Sequence, residues 1–173
     1  MFKRIAIGND HGGVEAKNLI VDYLTAHGYE VLNMGSDSEE IVRYPYYAAQ
    51  VCNAIIEGKA DGGILICSTG IGMSIMANKF KGIRASLCTT PYLAQMTRRH
   101  NNSNVLCLGG KTTPLSEILG IVEEWLRYEY EGGRHNISLS MIAMGEDAME
   151  GVCRWTPPQD IAPEEPDQRK EHV

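Results

Sequence analysis

The sequence predicts an α/β protein in which helices cover both faces of a parallel β-sheet. Short apolar runs of strand character alternate along the chain with segments whose apolar residues recur at helical spacing. The connections are short, and Gly and Pro residues punctuate them. Because parallel strands need crossover connections, this alternation predicts a Rossmann-like, doubly wound sandwich with a five-stranded parallel sheet.

Five apolar runs predict the strands, and turn residues bound them. In chain order they are 5–8, 29–34, 62–67, 83–88 and 104–108. The third run is apolar throughout and ends on Cys67, where a loop of Ser, Thr and Gly begins. Ligands of doubly wound folds bind beyond the carboxyl ends of the strands, so the loops that follow these runs are where a site is expected.

The helices follow from apolar spacing and from residues that favour helix ends. Ala16, Ile20 and Leu24 recur at helical spacing in the first helix, and Gly28 ends it. Later helices are predicted to open at Pro45, near Gly70, at Pro91 with Thr90 as its N-cap, and at Thr113-Pro114. A last helix is predicted over about 137–150.

Composition excludes several functions. The 173 residues carry a net charge of −6, which argues against nucleic acid as the main partner. No apolar run reaches membrane-spanning length, and the N-terminal run is too short for a signal peptide. The five cysteines form no C-x-x-C pair, which disfavours a zinc site. Their odd number favours reduced thiols and a cytoplasmic protein.

We expect one domain over 1–150 and a Pro-rich acidic tail over 151–173. Four of the seven prolines stand among acidic residues near the C-terminus. Such a composition is typical of segments that do not build a packed core.

The loop after Cys67 is the strongest functional signal. It places a thiol at the carboxyl end of a predicted strand, beside a helix N-terminus near Gly70. The unpaired N–H groups of such a terminus bind anions and favour the thiolate form of a nearby cysteine. A proton-transferring group therefore stands next to a site for a developing oxyanion. The glycines at 70 and 72 match only part of a dinucleotide fingerprint, so an anion site is the better interpretation.

Other candidates are ambiguous when taken singly. Asp10 and His11 follow the first strand, and they could contact a substrate or form a solvated turn. His100 stands where positive charge complements the end of a helix, which by itself favours a structural role. Tyr44 could contact substrate or only pack, and Arg134 could clamp a phosphate or lie in a surface turn.

A set of short segments occurs in the order found in one known family. They are 8–13 (GNDHGG), 44–45 (YP), 61–74 (DGGILICSTGIGMS), 77–79 (ANK), 82–85 (GIRA), 99–101 (RHN) and 132–135 (GGRH). Together they resemble the type B ribose-5-phosphate isomerases and their relatives, which include galactose-6-phosphate isomerase subunits. The resemblance covers roughly residues 1–150 and leaves the tail outside.

The resemblance implies an aldose–ketose isomerase, an intramolecular oxidoreductase that needs no metal and no cofactor. Cys67 would be the base that moves a proton between C2 and C1 of the sugar. His100 would help to open the sugar ring, Asp10 and Tyr44 would contact ring and hydroxyl oxygens, and Asn101 would steady the enediolate. The enediolate would lie against the Thr69 side chain and the backbone N–H groups of the loop and helix start, at Ser68, Thr69, Gly70, Ile71, Gly72 and Ser74.

The resemblance also implies a phosphate site and a partner subunit. His11, Lys111 and Arg134 would hold the phosphate. The family's sites form between two subunits of a homodimer or a dimer of dimers. His100, Asn101, Lys111 and Arg134 would therefore come from the partner of the subunit that supplies Cys67.

Three positions depart from the family pattern and leave the substrate open. Ser138 stands where a second arginine is usual, Lys111 often is arginine, and Arg43 stands where an acid is common. Because lysine lacks the bidentate fork of arginine, phosphate binding changes at this end. D-Ribose 5-phosphate and D-ribulose 5-phosphate remain the favoured pair. The alternatives are a tetrose, allose or galactose phosphate, or a non-catalytic sugar-phosphate-binding module.

Overall fold

The computed structural model describes residues 2–148, and their architecture is the predicted one. The strands are β1 (Arg4–Asn9), β2 (Glu30–Asn33), β3 (Gly62–Cys67), β4 (Ala85–Leu87) and β5 (Val105–Gly109). The helices are α1 (Val14–Ala26), α2 (Tyr44–Ile56), α3 (Ile71–Ala77), α4 (Pro91–Asn101), α5 (Leu115–Arg127) and α6 (His135–Ala148), and a short 3₁₀ turn, His11–Gly13, precedes α1. The predicted tail, 151–173, lies outside the described residues.

The sheet is parallel throughout and has the order β2-β1-β3-β5-β4. From β1 the chain passes to β2 on one side of it, and the next connection leads to β3 on the other side of β1. The connections therefore diverge between β1 and β3, where Ile7 pairs with Ile64. In such a sheet the crevice at the carboxyl ends of these two strands is where ligands bind.

Two hydrophobic cores fill the layers on either side of the sheet. In β3, Ile64 and Ile66 face the core under α1 and α5, while Leu65 and Cys67 face the core under α2 and α3. All six residues of β3 are buried, as expected for a central strand covered on both faces. The side chain of Cys67 therefore lies on the α2 side of the sheet.

The predicted helix ends agree closely with the structure. The hydroxyl of Thr90 accepts the Leu93 N–H at 3.3 Å, which confirms the predicted N-cap. β4 is shorter than the predicted 83–88, because Ile83 donates its N–H to Phe80 in a turn and β4 pairs only with β5. α6 begins at His135, two residues before the predicted start. None of the helices between residues 2 and 148 has the length and apolar character that crossing a bilayer requires.

Candidate active site

Three loops meet at the carboxyl edge of the sheet, and backbone hydrogen bonds join them. The Asp10 N–H after β1 donates to Ile66 in β3 at 3.1 Å. After β5, the Lys111 N–H donates to the Ser68 carbonyl at 2.9 Å. The contact between loops is close, since a Cβ on Gly12 would lie 2.3 Å from Ser68 Oγ. The structure thus brings three predicted site segments together.

Cys67 ends β3 and is only 5% exposed. Its sulfur accepts the Gly70 N–H at 3.1 Å. Gly70 adopts φ +75°, and a Cβ there would lie 2.5 Å from Leu87 Cδ1 and 2.8 Å from the Leu108 carbonyl carbon. Because a side chain would be both strained and obstructed, glycine is required at this turn.

Some backbone N–H groups at the start of α3 that the sequence analysis assigned to substrate already have hydrogen-bond partners in the chain. The Ile71 N–H donates to Thr69 Oγ1 at 3.3 Å, and the Ser74 N–H donates to the Gly70 carbonyl at 3.1 Å. The expectation that Ser74 offers its N–H to substrate is therefore not met, because that group closes the first helical turn. By helix geometry, the N–H groups of Gly72 and Met73, like that of Ile71, have no carbonyl partner within α3.

Tyr44 lies at the start of α2 and covers this helix start. A Cβ on Gly72 would lie 2.9 Å from the tyrosine ring, so the absence of a side chain at 72 permits the contact. Tyr44 remains 37% exposed. It therefore stands on the same face of the sheet as Cys67, with its hydroxyl-bearing ring against the first turn of α3.

Asp10 is a buried carboxyl, 5% exposed, at the end of β1. Burial raises the pKa of Asp10, although its Oδ1 accepts the Gly12 N–H at 2.8 Å and His11 and Lys111 lie nearby. A carboxyl with this environment can hold or exchange a proton more readily than a solvated one.

His11 and Lys111 line one cavity of about 410 Å³, together with Glu15 and Glu39. His11 Nδ1 accepts the Val42 N–H at 3.4 Å, which leaves Nε2 as the donor of the neutral ring. Both residues follow strands of the same chain, β1 and β5. The sequence-based assignment of Lys111 to the partner's half of the site is therefore corrected, because the loop after β5 lies beside the loop after β3.

His100 lies at the opposite edge of the sheet from Cys67. α4 runs back between two parallel strands, so its last turn reaches their amino-terminal side. The neighbouring Arg98 accordingly lies over the ring of Phe2, just before β1, at 4.4 Å. Within one chain His100 and Asn101 do not approach Cys67, and the same holds for Arg134 at the start of α6. Within one chain the predicted site residues therefore fall into two separate groups.

The structure places His100 in a second polar cluster, with Glu131 and His135. The two imidazole rings stack with centroids 4.3 Å apart. Glu131 Oε2 lies 3.8 Å from His100 Nε2, and its other oxygen lies 2.5 Å from the guanidinium of Arg99. Sequence reasoning missed Glu131 and His135. Arg99 is 32 positions from Glu131, so no local spacing joins them.

This cluster is also the candidate metal site. Among residues 2–148, His100, Glu131 and His135 are the one group of three whose donor atoms all lie within 4.8 Å of one another. The Arg99 guanidinium already neutralises the carboxylate that a cation would need. The contacts therefore suit a charge network better than a metal centre.

An α/β fold with a thiol, a buried carboxyl and a cation-lined cavity at the switch point of its sheet defines an enzyme of acid–base chemistry. The chain belongs to the Ribose/Galactose Isomerase family, whose sequence profile matches residues 5–142.

Curated relatives share most of the chain. It is 51% identical over 134 residues to "Ribose-5-phosphate isomerase B" of Escherichia coli (strain K12). The matched region covers 78% of this chain and 90% of that protein. It is 43% identical over 130 residues to "D-erythrulose-4-phosphate isomerase" of Pectobacterium atrosepticum, covering 75% of this chain and 86% of that protein.

Solved structures share the fold. Ribose-5-phosphate isomerase B of Clostridium thermocellum superposes with a TM-score of 0.83 at 44% identity, over 84% of this chain and 99% of that one. The Mycoplasma genitalium enzyme, solved with bound ribulose-5-phosphate, superposes with a TM-score of 0.80 at 35% identity, over 83% of this chain and 96% of that one.

Proposed function

We propose that this protein is an aldose–ketose isomerase that interconverts D-ribose 5-phosphate and D-ribulose 5-phosphate. The observation that carries the proposal is the Cys67 sulfur, held by the Gly70 N–H at the switch point of a fold shared with type B ribose-5-phosphate isomerases. This thiol stands where a base for a carbon acid is required. All four cysteines in the described part of the chain are free thiols. Because thiols stay reduced in the cytosol, we infer a cytoplasmic protein.

Cys67 is the base of the proton transfer. As thiolate it takes the proton from C2 of the open-chain aldose, and the electron pair moves to the carbonyl oxygen to give a cis-enediolate. A proton then passes from the C2 oxygen to the C1 oxygen. The electron pair on the C2 oxygen forms the ketose carbonyl as the thiol returns its proton to C1. Preorganised donors for the enediolate oxygen, here the Thr69 hydroxyl and the N–H of Gly72, are each worth about 10²–10³ in rate.

Ring opening needs a second acid–base pair, because pentose phosphates are largely cyclic. Asp10 from one subunit and His100 from its partner fill these roles, with Asn101 of the partner beside the enediolate. A homodimer is supported by α6, which buries none of its residues and exposes Ile137, Met141 and Met144 to 67–68%. Apolar surface of this kind on a described helix suits an interface between copies of the chain.

The phosphate is bound by side chains from both subunits. His11, as a hydrogen-bond donor, and Lys111, as a cation, come from the cavity described above, and Arg134 comes from the partner. Lys111 acts as a point charge without a bidentate fork. The carboxylates of Glu15 and Glu39 in the same cavity limit its net positive charge and thereby the affinity for a dianion.

A tetrose phosphate is the second candidate substrate. Ser138 removes one expected cation, and Lys111 replaces another, so the phosphate site differs from that of the family pattern. The Pectobacterium relative named D-erythrulose-4-phosphate isomerase has 43% identity to this chain, which supports testing a shorter sugar.

The test is proton NMR in D₂O with the full-length protein. Ribose 5-phosphate, erythrose 4-phosphate, allose 6-phosphate and galactose 6-phosphate are each supplied, and both ketose formation and deuterium uptake are followed. We expect the highest kcat/KM with ribose 5-phosphate. A higher value with another sugar would replace the substrate, and no exchange with any of them would leave only a binding module.

A further inference from the structure

The loop between β2 and α2, residues 34–43, forms one wall of the cavity that holds His11 and Lys111. Glu39 and Ile41 come from this loop and line the cavity with them. The residues 37–41 are all exposed, so this part of the loop buries little apolar surface. Its position therefore depends on polar contacts with neighbouring elements.

Both ends of the loop are held at the carboxyl end of β1. At the first end, the Ser36 N–H donates to the Asn9 carbonyl at 3.2 Å, and Asn9 Nδ2 donates to the Ser36 carbonyl at 3.1 Å. At the second end, the Val42 N–H donates to His11 Nδ1 at 3.4 Å. The loop thus starts beside Asn9 and returns to His11, and the stretch between these contacts forms the cavity wall.

Lys17 of α1 contacts the loop between these two ends. Its Nζ donates to Asp37 Oδ1. The Lys17 side chain is 0% exposed, whereas that of Asp37 is 85% exposed. An ammonium group excluded from water is unfavourable unless a nearby carboxylate or hydrogen-bond acceptor compensates its charge. Lys17 therefore needs Asp37, while Asp37 would be well solvated without Lys17.

We propose that Lys17 and Asp37 clamp the loop 34–43 against α1 and thereby position His11 for phosphate binding. Both are positioning residues, since neither lines the cavity. With the loop closed, the Val42 N–H holds the His11 ring at Nδ1, and Nε2 remains the atom that can donate to a phosphate oxygen. The inference rests on the phosphate site proposed above, and it adds the contact that keeps that site assembled.

Electrostatics alone predicts the opposite effect of removing Asp37. Its carboxylate belongs to the loop that walls a cavity for a dianion, so its removal makes the surroundings more positive and should strengthen phosphate binding. In the clamp, the same removal leaves Lys17 buried without its counter-ion. Opening of the loop then lets water reach the ammonium group, so phosphate binding should weaken. The sign of the change distinguishes the clamp from simple charge repulsion.

The first test measures turnover of ribose 5-phosphate by the full-length protein with Asp37→Ala. We expect KM to rise about three- to tenfold with kcat nearly unchanged, because only the molecules with a closed loop bind well. Asp37→Glu keeps the carboxylate and should raise KM less. Glu40→Ala is the matched control, since it removes an exposed carboxylate from the same loop, and its KM should stay equal or fall.

The second test asks whether Asp37 acts through Lys17. Lys17→Met keeps an unbranched side chain without the charge, so the buried position no longer needs a counter-ion. In the Asp37→Ala background, Lys17→Met should therefore bring KM back toward the wild-type value. Losses that add in the double variant would contradict the clamp, because additive effects indicate independent sites.

Two measurements without turnover keep this inference separate from the proposed isomerase activity. Amide hydrogen exchange at Ser36 and Val42 should be faster in Asp37→Ala than in the wild type, while exchange at Ile64 in β3 should not change. Binding of inorganic phosphate, measured by calorimetry, should weaken by about the factor by which KM rises.

The outcomes separate the two claims. Unchanged or tighter phosphate binding in Asp37→Ala overturns the clamp, and so does unchanged exchange at Val42 or a wild-type protein that binds no phosphate. Weaker phosphate binding with faster exchange, in a protein that turns over no sugar phosphate, keeps the clamp and removes the isomerase function. If Lys17→Met does not fold, the comparison of Asp37→Ala with Glu40→Ala decides the matter alone.

Discussion

The backbone N–H of Gly70 points at the sulfur of Cys67 across 3.1 Å. This contact exists because Gly70 turns the chain with φ +75° directly between β3 and α3. The donor costs no reorganisation when negative charge develops on sulfur, because the backbone already holds it in place. The activity proposed for Cys67 thus depends on a residue with no side chain.

Replacing Cys67 with alanine should abolish proton transfer. We expect kcat on ribose 5-phosphate to fall by about 10²–10⁴ or more, the usual contribution of a general base, with a loss of stability similar to that of another buried cysteine in the same core. The measurement is turnover and C2 proton exchange by NMR. Cys52→Ala is the control, since it removes a buried thiol of the same core, and it should cost stability without reducing kcat.

Replacing Gly70 with alanine should damage both folding and activity. The left-handed backbone and the overlap with Leu87 and Leu108 together should cost about 3 kcal/mol or more in the free energy of unfolding. Gly28→Ala isolates the backbone strain, because Gly28 has φ +80° with nothing within 4 Å of the added Cβ. Urea unfolding of both variants measures the difference, and equal losses would contradict the packing argument.

Asp10 should lower the stability of the fold at neutral pH while it contributes to activity. Because burial raises the pKa of Asp10 above its unfolded value, the folded state holds the proton to higher pH. The free energy of unfolding therefore falls as pH rises from about 4, and the cost is complete above the folded pKa. Asp10→Asn should remove this dependence and lower kcat, as measured by urea unfolding across pH and by turnover. An unchanged pH dependence would show that Asp10 does not contribute.

The pH dependence of stability due to Asp61 should be opposite to that due to Asp10. It accepts the N–H groups of Lys3 and Arg4 and pairs with the Arg4 guanidinium at 2.6 Å, and Arg4 lowers the pKa of Asp61 to about 2. This contribution is complete above the unfolded pKa of about 4 and is lost as pH falls to about 2.

The Asp61→Asn substitution measures that contribution. Because its side chain is 31% exposed, we expect a loss of about 1–2 kcal/mol at neutral pH. Glu57→Gln breaks an exposed pair with Lys59 and should cost less than about 0.5 kcal/mol. Urea unfolding at neutral and acidic pH checks both, and a loss that persists below the Asp61 pKa would point to another cause.

Mixing two inactive variants tests whether the site is shared between subunits. Cys67→Ala and His100→Ala should each be inactive on ribose 5-phosphate as homodimers. Random exchange of subunits should restore about a quarter of the wild-type activity, because half of the dimers become mixed and each mixed dimer has one intact site. Activity that stays at zero after verified subunit exchange would place both residues in one chain's site.

The elements of the fold were predictable from local pattern. The run 62–67 became β3 without change, and Thr90 caps α4 as expected, because strand burial and helix capping are decided by residues close in sequence. The ends of β4 were less predictable, since an edge strand with one neighbour ends where its pairing ends.

The site was predictable only as separate loops. Local sequence identified the chemical groups, namely a thiol at the end of β3, a carboxyl after β1 and a histidine near the end of α4. Which of these groups lie close together depends on the folded chain. In the folded chain, Lys111 and His11 line the same cavity, and the Ser74 N–H donates within the first turn of α3. Glu131 and His135 lie beside His100. The physical reason is that strand order and helix direction bring together residues far apart in sequence, and neither leaves a local signal.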